Sequence, residues 1–242
     1  MRERGKDMAQ PLQQRGHGPL PVLLLALTLV TGLVDAVSFF RLDHVFVANM
    51  TGNVLFLAFA VADARDFSIA ASSLALASFL LGAATGGRCA NWFGAHRGRY
   101  LAVVMGINIV AFGGSVIAAV VLPDTGDLAT RYVLIALLGI AMGNQNAAAR
   151  RLAVPDLNTT VLTLTLTALA SESRLAGGMH PHPKWRLASV ATMFSGAALG
   201  AALVLKVNTA AAVGLAFAIV LAVSAMALRL RHSTESWTAG AG

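Results

Sequence analysis

Asp35 and the run Asn49-Met50-Thr51-Gly52-Asn53 sit in stretches that are otherwise apolar. A carboxylate at membrane depth can hold a cation or a proton, or orient a solute that offers donors, and it is a functional-site hypothesis by default. Asn49, Thr51 and Asn53 can present donors and acceptors, and Gly52 permits close approach. A second amide group, Asn144-Gln145-Asn146, could line a pathway opposite Asp35, and a third polar set is Asp156, Asn158, Thr159 and Thr160. Plainer roles stand beside these. Asp35 could pair with Arg41 or His44, Asn49 and Thr51 could simply cap a helix, and the amides could bond between helices for ~0.6 kcal/mol each. Asn108, in mid-stretch, is a weaker candidate.

The elements that would position these groups are membrane helices. Of 242 residues, 57% are hydrophobic and only 12% charged, against about 25% charged in an ordinary soluble domain. Apolar blocks run over 19–40, 45–62, 68–93, 100–122, 131–149, 157–170, 185–205 and 208–230. Roughly 20 apolar residues in a helix match a hydrocarbon layer of about 30 Å. The net charge of +7 lies in tails and between blocks, so it reads as a topology signal and not as a nucleic-acid footprint. The single cysteine, Cys89, excludes an intrachain disulfide and a cysteine metal cluster. Residues 19–40 are expected to remain as a first helix rather than a cleaved leader.

The blocks repeat. A shift of 107 residues puts Gly32 on Gly139, Val47 on Val154 and Val54 on Val161, and lays the 49–53 cluster over 156–160. Further along, Gly82 and Gly86 match Gly196 and Gly200 with a shift of 114. The pairs Gly82/Gly86, Gly139/Gly143 and Gly196/Gly200 have the spacing that lets helix backbones approach, so packing is their expected role.

Charge decides between topologies. With eight spans and a cytoplasmic N-terminus, 11 of the 18 Lys and Arg residues fall inside. If the second and sixth blocks enter and leave on one side, 14 fall inside, and only Arg41, Arg65, Arg131 and Lys206 stay outside. A helix from Thr51 or Gly52 to about Ala62 would span roughly 18 Å, half a bilayer, and its counterpart ending near Ala170 is as short. Three spans per half make the halves inverted, a recurring transporter plan in which half-helices aim their amino ends at a midplane pocket. The expected fold is therefore an all-α polytopic bundle of two inverted repeats, with six full spans and two half-helices; seven or eight spans are the alternatives.

His180-Pro-His182-Pro reads as a loop, and no motif for a metal, a cofactor or hydrolytic chemistry is present, so neither a cofactor nor an enzymatic activity is expected. The string TGLVDAVSFFRLDHVFVANMTGNVLFL at residues 31–57 resembles the hallmark of the bacterial YoaK-type membrane proteins, the DUF1275 or UPF0700 family. That resemblance implies an integral membrane protein of this length and block layout. It brings no substrate and no functional residues. The expected organisation is a basic tail over 1–18, membrane repeats over 19–126 and 127–230, and a C-terminal tail over 231–242. A permease or channel for a small polar solute or ion in the inner membrane, with both termini cytoplasmic, is the expected function. The alternative is a non-transporting scaffold or regulatory subunit. The expected partners are the lipid bilayer and a small polar solute but no nucleic acid, and a homo-oligomer is compatible with the sequence.

Overall fold

The computed structural model describes residues 17–122, 127–154, 162–173, 176 and 183–238. Among them it places eight α-helices and no strand: α1 Leu20–Arg41, α2 Met50–Val61, α3 Ile69–Phe93, α4 Arg97–Val121, α5 Leu128–Leu152, α6 Leu162–Ser171, α7 Pro183–Lys206 and α8 Thr209–Leu230. Six are long and apolar enough to cross a membrane, at 22 to 25 residues each. The chain is a multi-pass membrane protein. Local chemistry sets the ends. Ser68, His96, Asp127 and Asn208 each accept a backbone N–H from the first turn of α3, α4, α5 and α8.

Contacts at the helix ends fix which way each helix runs. Arg41, closing α1, donates to the Val204 carbonyl near the end of α7 (3.0 Å), and Arg131 at the start of α5 pairs with Asp43 just beyond α1. The rings of His44, after α1, and Phe67, before α3, lie 6.4 Å apart. The ends of α1 and α7 and the starts of α3 and α5 therefore share one face of the bundle. At the opposite face, the start of α1 clusters with the end of α3, the start of α4 and the ends of α5 and α8. His96 there meets the Ser233 carbonyl at 2.9 Å. The full spans alternate in direction, and both the start of α1 and the end of α8 lie at this second face.

The two short helices do not cross. The chain leaves α1 and enters α3 at the same face, so α2, only 12 residues long, dips in and returns. A ladder of rings holds it between its neighbours, with Phe39 on Phe46, Phe46 on Phe56 and Phe56 on Phe67 at centroid separations of 5.5, 5.6 and 4.9 Å. Helix α6 lies between the end of α5 and the start of α7, at the other face, where Glu172 pairs with Arg186 at 2.5 Å. The seven- and eight-span alternatives are set aside. Arg88, Arg97, Arg99, Arg150, Arg151, Lys184, Arg186, Arg229 and Arg231 lie at or near the second face, hereafter the cation-rich face, and Arg41, Arg65, Arg131 and Lys206 at the first.

Packing interlocks the two halves. Helix α1 packs chiefly on α7, and α5 on α3, in both cases through small residues. A Cβ on Gly143 would collide with the Phe79 carbonyl and the Ala83 nitrogen, and one on Gly32 with the Met193 carbonyl and the Ala197 nitrogen. Phe79 and Ala83 lie 114 residues before Met193 and Ala197, so the residue in Gly32's situation is Gly143, a shift of 111. The ungapped shift of 107 that put Gly32 on Gly139 is thus one helical turn out of register; Gly139 instead faces the Ser78 side chain. Gly82 and Gly86 approach Ile140 and Asn144, while Gly196 and Gly200 approach Leu29 and Leu33.

One geometric expectation fails. Helix α2 packs against α3 and α6 against α7, and α2 and α6 do not touch. Apart from Asn53 and Ala60, α2 is not deeply buried, and Val54, Leu55, Phe59 and Val61 are exposed as a lipid-facing apolar side would be. Over their described residues the half-helices therefore flank the bundle and do not meet. Helix α2 is tied down locally at its amino end, and that leaves it at the periphery.

Candidate functional site

Two polar regions lie inside the bundle. The first is built where the chain dips back after α1. Asp43 and His44 take positive φ values of 60° and 55°, which reverses the chain, and Val45–Asn49 runs inward to start α2. Asp35 is 6% exposed, and its Oδ1 accepts the backbone N–H of Val47 at 3.1 Å and of Ala48 at 2.9 Å. Asn53 is fully buried: its Oδ1 accepts the Phe46 N–H at 2.8 Å and its Nδ2 donates to the Phe46 carbonyl at 2.5 Å. This inward segment is neither helix nor strand, so its backbone groups have no intrinsic partners, and in an apolar surround each unmet one is costly. Asp35 and Asn53 supply those partners. They form a clamp, about 7 Å from the midpoint of α1 toward the cation-poor face.

The other members of the 49–53 cluster do something different. Asn49 is the N-cap residue of α2 but makes no side-chain cap bond (φ −104°, ψ 83°), and both Asn49 and Thr51 are exposed. The capping role expected for them is not seen, because Asn53, one turn in, ties the helix start to Phe46 instead. Gly52 sits under the Phe46 ring, where a Cβ would intrude on it.

The second region lies near half depth, where α5 reaches α4 through Asn144 and α1 through Gln145. Asn144 Nδ2 donates to the Val104 carbonyl at 3.0 Å and to Asn108 Oδ1 at 2.8 Å. Gln145 Nε2 donates to the Leu27 carbonyl at 3.2 Å and to Thr31 Oγ1 at 3.0 Å. Asn108, Asn144 and Gln145 are all 0% exposed. Yet Asn108 Nδ2, Asn144 Oδ1 and Gln145 Oε1 have no hydrogen-bond partner among the described residues. Asn144 Oδ1 faces Gly86, where an added Cβ would come within 2.9 Å of it, and the Gly86 carbonyl accepts the Tyr100 hydroxyl at 3.1 Å. Buried polar atoms are paired in the large majority of cases, so three unmet ones in one neighbourhood call for a physical reason.

The expected site residues thus divide. Asp35 and Asn53 come together at the clamp. Asn144 joins Asn108 and Gln145. Asn146 turns to its own helix, donating to the Met142 carbonyl at 3.0 Å. Asn158 and Thr159, with Asp156 and Thr160, lie outside the described residues, as do His180 and His182. Thr31 and Tyr100 were not singled out from sequence. Thr31 had a signal, since it stands one turn before Asp35, whereas Tyr100 had only its position in an apolar block. A groove of about 670 Å³ on α3, lined by Ala84, Gly87, Arg88, Asn91 and Trp92, belongs to neither region.

Comparison with known proteins bears on this arrangement only at the level of family. The family model described as "Protein of unknown function (DUF1275)" matches residues 23–226. The UPF0700 transmembrane protein YoaK of Bacillus subtilis (strain 168) is 32% identical over 154 residues, covering 62% of this chain and 65% of that protein. The match thus spans a little under two thirds of the relative's length. No solved structure matches.

Proposed function

The chain belongs to the DUF1275 family of membrane proteins, and from that premise we propose that it is a permease or channel for a small polar solute. One observation carries the proposal: Asn108 Nδ2, Asn144 Oδ1 and Gln145 Oε1 are fully buried at half depth and lack partners. Buried amides left over in this way are commonly met by ordered water or by a ligand, and a solute passing through the bundle would supply such a partner. The interlocked halves support the same reading. A shared close-packing scheme, with α1 on α7 and α5 on α3, is what two inverted repeats would give, and such repeats commonly bind solute near midplane. The excess of Lys and Arg at one face supports an orientation with that face, and with it the start of α1 and the end of α8, toward the cytoplasm of a bacterial inner membrane. The internal polar groups are amides and hydroxyls beside one clamped carboxylate, which suits passage better than catalysis.

The clamp favours a second reading. Asp35 Oδ1 and the Asn53 amide are engaged by backbone, as expected of a scaffold or regulatory subunit with a well-satisfied interior. Growth and uptake profiling of a deletion strain separates the two. Complementation by the wild type but not by Asn144→Leu, at equal membrane abundance, supports passage. Full complementation by Asn144→Leu and by Asp35→Asn would leave the scaffold reading standing.

A further inference from the structure

We propose that the groove on the outer face of α3 holds a phospholipid with an anionic headgroup, in the leaflet at the cation-rich face. The site is separate from the polar regions inside the bundle and does not depend on what passes through them.

The groove has a polar end and an apolar end. Ala84, Gly87, Arg88, Asn91 and Trp92 line about 670 Å³, and their spacing of three and four residues puts them on one side of the helix. All five are exposed. Gly87 gives the groove its depth, since a Cβ there would meet nothing within 4 Å. Toward the midplane the same side continues as Leu80 and Leu81, 64% and 61% exposed. An acyl chain fits that apolar track, and its headgroup then meets Arg88 and Asn91.

Depth fits a lipid as well. Arg88 lies about 28 Å along α3 from Ile69, where a hydrocarbon layer of about 30 Å gives way to headgroups. Trp92, 73% exposed, is one turn further on, at the level where indole rings favour the interface.

Charge selects the headgroup. The Arg88 and Asn91 side chains make no hydrogen bond or ion pair among the described residues. A guanidinium at the edge of the hydrocarbon is costly without an anion, and its paired N–H donors match phosphate oxygens. Zwitterionic lipids carry a phosphate too, but they bring their own cation beside it. With Arg99, Arg150 and Arg151 at the same face, a net negative headgroup is preferred. The other half of the chain lacks this feature. The offset of 114 that lays Phe79 on Met193 puts Ala201, Ala202 and Leu205 of α7 at the positions of Gly87, Arg88 and Asn91, with Lys206 only at the helix end. An interfacial position on an outer helix therefore does not by itself call for an arginine and an amide.

The test uses the full-length protein in detergent, titrated with dioleoyl phosphatidylglycerol or dioleoyl phosphatidylcholine and read by native mass spectrometry. The first phosphatidylglycerol should bind at least fivefold more tightly than the first phosphatidylcholine, and excess inorganic phosphate should not displace it. Gly87→Leu fills the groove without a clash and should weaken phosphatidylglycerol binding at least fivefold in protein that elutes as wild type. Arg88→Gln should abolish the preference and Arg88→Lys keep most of it. Arg99→Gln, at the same face but outside the groove, should leave it unchanged. Equal losses in Arg88→Gln and Arg99→Gln, or no loss in Gly87→Leu, overturn the site. Displacement by inorganic phosphate would make the ligand a free anion and overturn the lipid. A dimer that Gly87→Leu separates would put a second copy in the groove and do the same.

Discussion

The Asp35 clamp and the Asn108–Asn144–Gln145 group are both polar and both buried in apolar helices, but only the amide group keeps fully buried side-chain atoms without a partner among the described residues. At the clamp, a carboxylate oxygen and an amide close on backbone groups of Phe46, Val47 and Ala48. In the amide group, Asn108 Nδ2, Asn144 Oδ1 and Gln145 Oε1 have no partner among the described residues. Charge at membrane depth is therefore a poor guide to the site in this protein. The acid that stands out in the sequence holds the chain in shape, and the less conspicuous amides are the ones that keep unmatched atoms, which is why the proposed function rests on them.

The sharpest way to break this comparison is at Asp35. Asp35→Ala strips two buried N–H groups of an acceptor, and each buried group left unmet costs about 1–3 kcal/mol, so thermal unfolding of the purified protein should show a loss of roughly 2–6 kcal/mol. Asp35→Asn keeps one acceptor oxygen and should cost under about 2 kcal/mol while preserving solute flux. Loss of flux in a fully folded Asp35→Asn protein would mean that the charge itself takes part.

Asn53→Ala should come next, at about 2–3 kcal/mol, because it frees both backbone polar groups of half-buried Phe46. A cysteine at Ala64 should then label more readily from the cation-poor side as α2 loosens. Gly143→Ala drives a Cβ into the Phe79 carbonyl and should cost about 1–3 kcal/mol. It moves α5, and Asn144 with it, against α3, so flux should fall while the α1–α2 corner is unchanged by labelling. Gly106→Ala, where nothing lies within 4 Å of the added carbon, should be neutral or stabilising by up to about 1 kcal/mol. Its failure would mean that α4 packs differently.

Much of the fold could be read from sequence because membranes impose coarse rules. The short helix was visible in the distance from Thr51 to Ala62, and Met50–Val61 agrees within a residue at each end. The distribution of arginine and lysine chose six spans, and the helix-end contacts agree. The register of Gly32 was not legible, because in Ala-, Leu- and Gly-rich helices a slip of one turn substitutes one small residue for another. Pairing was illegible for a different reason. Every residue carries a carbonyl, so nothing in the sequence marked those of Leu27, Val104 and Phe46 as the partners that divide Gln145 and Asn144 from Asn53. The exposed Asn49 and Thr51 show the converse, since polarity alone did not reveal which side chains of the cluster turn inward.

The most direct test compares rescue of the deletion strain and thermal stability in one double variant, Asn108→Leu/Asn144→Leu. Replacing both partners with apolar groups of similar size should be nearly neutral for folding. The expected result is a midpoint within a few degrees of wild type with growth and uptake no better than in the deletion strain. A folded double variant that restores both to the wild-type level would contradict the assignment of these amides to a solute path.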